Sequence, residues 1–282
     1  MLPHYSAPGQ FPAGSAIQHI AFISTPGANQ LVLLELPPPS DRFAVLVTRP
    51  QGLATEPERN GLTLLRIPTT DLDDVNLLTA VQAWLHAVPG SKTPIHMMTL
   101  QGSQIFWTER YVAVLANAER LDAVCLAVVE VFFYHAELLE VETGMAGAWN
   151  GIEADLPLAY EFAQPSMRHR KELQRRYQQV LSMRVRLARI APHVYSPHVF
   201  PATLASQVRE RLKERNRMTH RHEFLTDQLE FSQQLYDSCS QRANDFMLTR
   251  SSNTLEYVII VLLLAQLLLH MFEILGTMSA TV

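Results

Sequence analysis

Ionisable side chains at two places in the sequence have types that can do chemistry. Glu130 lies in the otherwise apolar run 123–134, and a buried carboxylate of this kind often has a raised pKa and marks a site. His220, His222 and Glu223 form a short cluster of metal-ligand types. Residues two apart point to different sides of a helix, so one ion cannot take both histidines. We therefore expect the cluster to be solvated surface and Glu130 to pair at its helix edge.

Signatures of the common enzyme classes are absent from the sequence. It contains no GxxxxGK[ST], GxGxxG, HExxH, GxSxG or CxxC motif. His193 and His198 flank a proline-containing loop and would need further ligands that the sequence does not identify. We expect no catalytic residue, no metal site and no cofactor, and we expect Cys125 and Cys239 to be reduced packing residues.

A run of basic residues is suited to binding rather than to catalysis. It spans about six helical turns and comprises Arg168, Arg170, Lys171, Arg175, Arg176, Arg184, Arg186 and Arg189. Only Tyr177 is aromatic among them, which favours phosphate backbones or lipid headgroups over base stacking. We predict that the first five residues of the run bind an anionic partner, such as lipid, RNA or a ribosome. A solvated helix face is the simpler alternative.

The net charge of −4 hides an asymmetry along the chain. Residues 1–163 hold 7 Lys/Arg and 17 Asp/Glu, a net charge of −10, whereas residues 164–250 hold 16 and 8, a net charge of +8. The acidic and basic parts attract one another, or the basic part contacts anionic lipid or RNA.

The residues from Tyr257 to Leu275 are almost wholly apolar. A helix of about 20 residues spans the ~30 Å hydrocarbon core of a bilayer, and only seven uncharged residues follow Leu275 here. This pattern predicts a single-pass tail anchor. Since Arg242 and Arg250 precede the segment and no basic residue follows it, the bulk should face the cytoplasm or the matrix, at a bacterial or mitochondrial inner membrane.

Three polar residues interrupt the apolar segment: Gln266, His270 and Glu273. They favour the alternative of a buried helix in a soluble protein, because polar groups in lipid cost a few kcal/mol. Their spacing of four and three places them on one stripe of a helix. We predict that the stripe faces its counterparts in a homo-oligomer, and the alternative is that it lines a pore.

Periodicity predicts an α+β head domain over residues 1–116. The expected strands are 16–23, 30–36, 43–47 and 62–67, followed by a hairpin of 104–107 and 111–115. A helix is expected from Thr70 to Val88, capped by Thr70 or Asp71.

Helical periodicity dominates a predicted stalk domain over residues 117–250. Helices are expected over 119–142, over 164–191 with Pro192 as the stop, from Pro201 onwards, and from Met218 onwards. The last helix carries a weak coiled-coil-like seam: His222, Leu225, Leu229, Ser232, Tyr236, Cys239, Ala243 and Phe246. No Gly or Pro stands between Met218 and Leu275, so this helix is expected to continue into the anchor of residues 251–282. The fold class predicted is thus α+β, with long antiparallel helices and one C-terminal transmembrane helix.

The C-terminal pattern resembles the required-for-meiotic-nuclear-division family. The residues that carry the likeness are Arg221, Leu225, Thr226, Leu229 and Phe231, the stretch 255–262, the strand 102–107 and the loop 195–197. Thr226 and Gln266 stand where the family has Asn and an intramembrane Glu, and the tryptophan expected near Phe200 is missing. The resemblance implies a membrane-anchored, oligomeric, non-catalytic protein whose mitochondrial members support translation by tethering ribosomes.

Three functions are consistent with these features. The first is a tail-anchored, non-catalytic scaffold or tether that self-associates at a membrane. The second is an oligomeric ion channel or transporter subunit with one pore-lining helix per chain. The third and least favoured is an enzyme that uses Glu130 or a histidine cluster.

Overall fold

The chain is an α+β protein: its N-terminal part forms one mixed sheet, and long helices follow. The computed structural model describes residues 5–6, 11–28, 30–47, 61–87, 94–160, 169–197 and 200–279, with side chains as far as Leu269.

The strands are β1 (Tyr5–Ser6), β2 (Ala16–Ile23), β3 (Leu31–Leu36), β4 (Arg42–Leu46), β5 (Gly61–Pro68), β6 (His96–Leu100), β7 (Ser103–Trp107) and β8 (Tyr111–Ala116). Their order across the sheet is β3-β4-β2-β5-β8-β7-β6, and β1 pairs with β2. Only the β5–β8 pair is parallel among the described ladders. The predicted strands and the β7–β8 hairpin are confirmed, and β6 is an additional edge strand.

Helix α1 (Val75–His86) covers one part of the sheet. Its apolar residues Leu77, Val81 and Leu85 pack into a core with β5, β7 and β8. The expected start at Thr70 or Asp71 was wrong. Asp74 is the N-cap, because its carboxylate accepts from the backbone N–H groups of the first turn, whereas the Asp71 carboxylate accepts from Asp73 within the preceding turn.

The remaining helices are α2 (Ala118–Asp155), α3 (Arg170–Val194), α4 (Leu204–Arg215) and α5 (Met218–Ser279), with a short 3₁₀ turn at Leu156–Ala159. Helix α2 was expected to end near Gly144, but it continues for about three more turns. A Cβ at Gly144 would lie 2.7 Å from Met183 Sδ of α3, and one at Gly151 would lie 3.3 Å from the Arg176 guanidinium. These glycines therefore allow close helix packing rather than ending the helix.

Two other helix boundaries also differ from the expectations. Helix α3 includes Pro192 and ends at Val194, because the proline lies in the last turn, where it removes only one internal hydrogen bond. Helix α4 begins three residues after Pro201. Its start is fixed by a capping box in which Thr203 and Ser206 satisfy each other's backbone N–H groups.

The chain divides into two compact units. The first comprises Met1–Gly144 and Met183–Asp227, and the second comprises Met145–Ser182 and Gln228–Val282. Helices α2, α3 and α5 therefore each contribute residues to both units.

Ion pairs join the helices of the first unit. Arg221 of α5 makes a bidentate pair with Glu142 of α2, with N–O distances of 2.6 and 2.7 Å. Arg186 of α3 pairs with Glu137, at 3.1 Å, and with Glu140. Planar bidentate pairs of this kind fix orientation as well as distance, so they set the rotation of α2 against its neighbours.

The second unit is organised by a buried carboxylate at the end of α2. Asp155 accepts from Arg176 Nη1 of α3 at 2.7 Å and from the Tyr236 hydroxyl of α5 at 3.2 Å. The Cys239 thiol lies 3.8 Å from the Asp155 carbonyl oxygen. Because the Asp155 side chain is only 9% exposed, Arg176 neutralises a charge that has little access to water.

The seam predicted along α5 is confirmed as a buried face. Seven of its eight residues are buried within their units, and Phe246 is half-buried. Ser232 is fully buried and donates its hydroxyl to the Gln228 carbonyl, so a polar residue on this face is satisfied locally.

Replacing Arg176 by Ala should destabilise the protein by about 3 kcal/mol, because Asp155 would remain as a buried, uncompensated charge. Arg175→Ala is the matched control: Arg175 pairs with Glu172 at the surface, so its loss should destabilise the protein much less. Urea unfolding of the detergent-solubilised protein, followed by circular dichroism, measures both. Equal losses in the two variants would contradict the role given to Asp155.

Candidate membrane anchor and charged surfaces

Helix α5 continues without interruption from the second unit into the apolar segment. Residues 251–254 are four consecutive polar residues, and all four are helical. The Thr254 hydroxyl donates to the Arg250 carbonyl at 2.9 Å, so this side chain is satisfied within the helix. The helix has 62 residues and is roughly 90 Å long.

The apolar part of α5 is exposed on every side. Every Val, Ile and Leu from Val258 to Leu269 is 50–67% exposed, and Tyr257 is 71% exposed. Within the described residues, α5 is the one helix long and apolar enough to cross a membrane, and none of its most apolar window is buried. A core helix of a soluble protein would instead be covered by its own chain. The segment is therefore a candidate membrane span.

The polar stripe predicted along this segment lies within α5. Gln266 is exposed among apolar neighbours. His270 and Glu273 are also helical, but their side chains lie outside the part that the structure describes. The helical backbone places the three residues on one face, as their spacing requires.

Three arginines of the basic run on α3 have carboxylate partners, namely Arg186 in the first unit and Arg175 and Arg176 in the second. Arg175 binds Glu172 through two nitrogens, at 2.7 and 3.1 Å, and remains exposed. Arg176 is half-buried and binds Asp155, Glu172 and the Gly151 carbonyl. Its charge serves the interior of the second unit and is poorly placed for an external anion.

The start of the run presents positive charge at the surface. Arg170 and Lys171 are exposed, and Arg170 Nη1 lies 3.1 Å from Met247 Sδ of α5. Arg168 lies outside the described residues. Anion binding by this stretch would therefore depend mainly on Arg170, Lys171 and Arg175.

Glu130 is paired at the edge of its helix, as expected. Arg209 Nη1 of α4 lies 2.9 Å from Glu130 Oε2, and both side chains are partly exposed. The pair joins α2 to α4 within the first unit. The packing of α4 against α2 therefore explains why a carboxylate lies within this apolar run.

The expectation that His220 and His222 are both solvated was wrong for His222. Its Nε2 contacts the Leu187 carbonyl of α3 and its Nδ1 contacts the Tyr195 hydroxyl, each at 3.2 Å. His222 is buried on the seam of α5, five residues before Asp227, where this segment of the first unit ends. The seam position, rather than the neighbouring histidine, was the signal that identified its environment.

A buried polar cluster in the first unit was not apparent from the sequence. Tyr134 of α2 stacks on His193 of α3, with ring centroids 4.7 Å apart. The Ser40 hydroxyl approaches Tyr134, and the Pro37 and Pro38 carbonyls approach His193, but none of these contacts has the geometry of a hydrogen bond. Burial raises the pKa of Tyr134 and lowers the pKa of His193, so both rings are neutral at pH 7.

His135 is the most strongly perturbed histidine of the described residues. Burial, reinforced by the positive charge of Arg221 and by His96, lowers its pKa from 6.5 to about 4. Its ring packs edge-on against Phe132, and Nδ1 has no hydrogen-bond partner in the described part of the chain. Between about pH 4 and pH 6.5, His135 is therefore neutral in the folded protein and protonated in the unfolded chain.

The residues that resemble the meiotic-nuclear-division family take structural positions. Arg221 forms the pair with Glu142, and Leu225 and Leu229 are buried. Thr226 donates its hydroxyl to the His222 carbonyl at 2.8 Å. Phe231 stacks on Trp149 within the second unit, with ring centroids 6.4 Å apart.

The fold and this surface define a mixed α+β protein with a candidate membrane span at the end of a long helix. No family model matches the chain, and no curated protein matches it.

Protonation of His135 should destabilise the fold as the pH falls. The pKa of His135 is about 4 in the folded protein and about 6.5 in the unfolded chain, so this residue does not reduce the free energy of unfolding above pH 6.5. As the pH falls below 6.5 the unfolded chain binds the proton first, and the free energy of unfolding decreases by about 2–3 kcal/mol at pH 4.5. His135→Gln should reduce the fall in Tm between pH 7 and 4.5, because it removes this titration.

The matched control is His86→Gln, since His86 is exposed at the end of α1. Thermal unfolding of the detergent-solubilised protein at a series of pH values provides the measurement. The assignment is wrong if the Tm of His135→Gln falls as steeply with pH as that of the unsubstituted protein.

Proposed function

We propose that this protein is a membrane-anchored, non-catalytic scaffold or tether, in which the end of α5 crosses a bilayer and holds the two units at its surface. The observation that carries the proposal is the apolar part of α5, which is exposed on all sides. A helix that is apolar all round needs either a protein core or a membrane, and no protein core covers this one within the described residues.

The free energy of transferring the apolar part of α5 from water into lipid supports a bilayer as its environment. Ten Val, Ile and Leu residues lie between Val258 and Leu269. At about 1.5–3 kcal/mol for each side chain fully removed from water, their burial contributes on the order of 15 kcal/mol. Gln266 opposes this by a few kcal/mol. The free energy gained by burying the apolar side chains is therefore several-fold larger than the cost of burying Gln266.

The charges that flank the apolar segment support one orientation. Arg242 and Arg250 lie on α5 before the segment. Basic residues near a span stay on the cytoplasmic or matrix side, so both units would face that compartment. A bacterial or mitochondrial inner membrane fits this orientation.

The pairing of carboxylates with arginines of neighbouring helices supports a scaffold rather than an enzyme. In the described part of the chain, Glu130, Glu142 and Asp155 are each paired with an arginine of another helix. These pairs hold helices together. A carboxylate held by a guanidinium is a poor general base, since the cation stabilises its charged form.

The partners fit the same proposal. Arg170, Lys171 and Arg175 offer exposed positive charge to lipid headgroups, RNA or a ribosome. The resemblance to the required-for-meiotic-nuclear-division family supports translation machinery as the tethered partner. The polar stripe beginning at Gln266 supports self-association in the membrane.

Removing residues 255–282 should release the protein from membranes, because the exposed apolar side chains go with them. Carbonate extraction and flotation of cell membranes measure the change. The control is Leu248→Arg in the full chain, which alters an exposed leucine of α5 outside the apolar segment and should leave the protein in the membrane fraction. A truncated protein that still resists carbonate extraction would show that the anchor lies elsewhere.

Gln266→Leu should shift the detergent-solubilised protein toward smaller assemblies. An amide facing lipid has no partner, whereas amide pairs between helices contribute ~0.6–2 kcal/mol each. Light scattering measures the mass, and the control is Gln266→Leu combined with Leu264→Gln, which moves the amide to the opposite face of the helix and should not restore the larger assembly. An unchanged mass would rule out association through Gln266.

Single-channel conductance in planar bilayers, abolished by Gln266→Leu, would instead favour the channel.

A further inference from the structure

One edge of the sheet in the first unit ends in β6. This strand pairs with β7 alone, from His96 opposite Trp107 to Leu100 opposite Ser103. Its outer edge has no strand partner among the described residues. His96, Met97 and Thr99 are exposed along it. Unpaired N–H and C=O groups of an edge strand are a template on which another extended segment can pair.

Helix α4 runs alongside the hairpin that β6 and β7 form. Near the hairpin turn, Gln101 Nε2 donates to Gln207 Oε1 of α4 at 2.7 Å. At the opposite end of β7, Trp107 Nε1 donates to Asn216 Oδ1, just after α4, at 3.2 Å. The two bonds are separated by nine residues of helix and neighbouring turn, or about 14 Å, which matches the length of the five-residue strand.

A groove of about 640 Å³ lies between the edge strand and the helix. The β6 side of the groove is formed by residues 98–100. The other side is formed by four charged residues at the end of α4 and the turn that follows, namely Arg211, Glu214, Arg215 and Arg217. A strand edge facing a helix is the geometry in which peptides add to a sheet.

Positive charge predominates on the helical side. Arg211 pairs with Glu214 at 2.8 Å, and both side chains stay more than 60% exposed. Arg215 and Arg217 are also exposed, and neither has an ion-pair partner within the described ranges. The four residues carry a net charge of +2. The groove is thus complementary to an acidic ligand.

We propose that the groove binds an extended acidic segment of another protein, which adds as a strand to β6 and places its carboxylates on Arg211, Arg215 and Arg217. Alternate side chains of a strand lie about 6.8 Å apart. Arg211 and Arg215 lie one turn apart on α4, a rise of about 6 Å. A segment with Asp or Glu at alternate positions therefore matches the spacing of the two arginines.

A peptide fits the groove better than single-stranded RNA does. Non-specific binding of single strands depends on aromatic side chains that stack on bases. The groove lining contains none, and the Trp107 ring is stacked on His96 and bonded to Asn216. The free main-chain groups of β6 match a peptide backbone. The proposal is independent of the membrane anchor, because every residue involved lies in the first unit.

Fluorescence anisotropy with the full-length protein in detergent tests the proposal. The probe is a fluorescein-labelled peptide, Thr-Glu-Val-Glu-Val-Glu-Thr. It should bind saturably, and the double variant Arg215→Gln, Arg217→Gln should weaken binding at least tenfold, since each lost charge-assisted hydrogen bond is expected to contribute about a factor of ten or more. The matched control, Arg189→Gln with Arg242→Gln, removes two exposed arginines elsewhere and should bind as before.

Two altered peptides separate strand addition from simple charge attraction. Replacing Glu by Gln should abolish binding. N-methylation of alternate backbone amides keeps the charge but removes ladder donors, and it should weaken binding at least tenfold when the donors facing β6 are blocked. Equal binding of both N-methylated registers would overturn strand addition. Equal loss in the two arginine double variants, or binding of labelled oligouridylate but not of the peptide, would overturn the groove as a peptide site.

Discussion

A helix that is apolar on every side is unstable in water, and this constraint governs the C-terminal part of the protein. The side chains from Val258 to Leu269 are exposed around the whole circumference of α5. Its backbone groups are satisfied within the helix, so a bilayer can accept it without unpaired polar main-chain atoms. The preceding part of the same helix is amphipathic and packs within its own units. A single helix thus passes from a buried seam to an exposed apolar cylinder without a break.

The buried part of α5 depends on polar groups as much as on apolar ones. In the second unit, Asp155 accepts hydrogen bonds from the Arg176 guanidinium and the Tyr236 hydroxyl. His222 occupies the seam in the first unit by contacting a carbonyl and a hydroxyl. Partners of this kind restrict the helices to one rotation and one register, whereas an apolar seam of Ser, Cys and Ala would specify them weakly. The consequence is a rigid arrangement within each unit.

The distribution of charge separates structural from surface functions. Arg176, Arg209 and Arg221 lie half-buried between helices and have carboxylate partners. Arg170, Lys171, Arg215 and Arg217 are exposed. The first set pairs with Asp155, Glu130 and Glu142 of α2, so the opposite charges of the two halves of the sequence are partly used in packing. The second set leaves positive charge at the surface.

The sequence by itself determined the elements whose signals are local. Apolar runs bounded by turn residues specified β2 and β5, the short turn specified the β7–β8 hairpin, and the absence of Gly and Pro specified the continuity of α5. The edge strand β6 had a weak signal because most of its side chains are exposed. Only tertiary structure decided that Gly144 lies inside α2, where Met183 packs against it, and that Asp155 binds Arg176 and Tyr236. The physical reason is that such outcomes depend on neighbours distant in sequence, which override local propensity and place Arg215 and Arg217 beside an open strand edge.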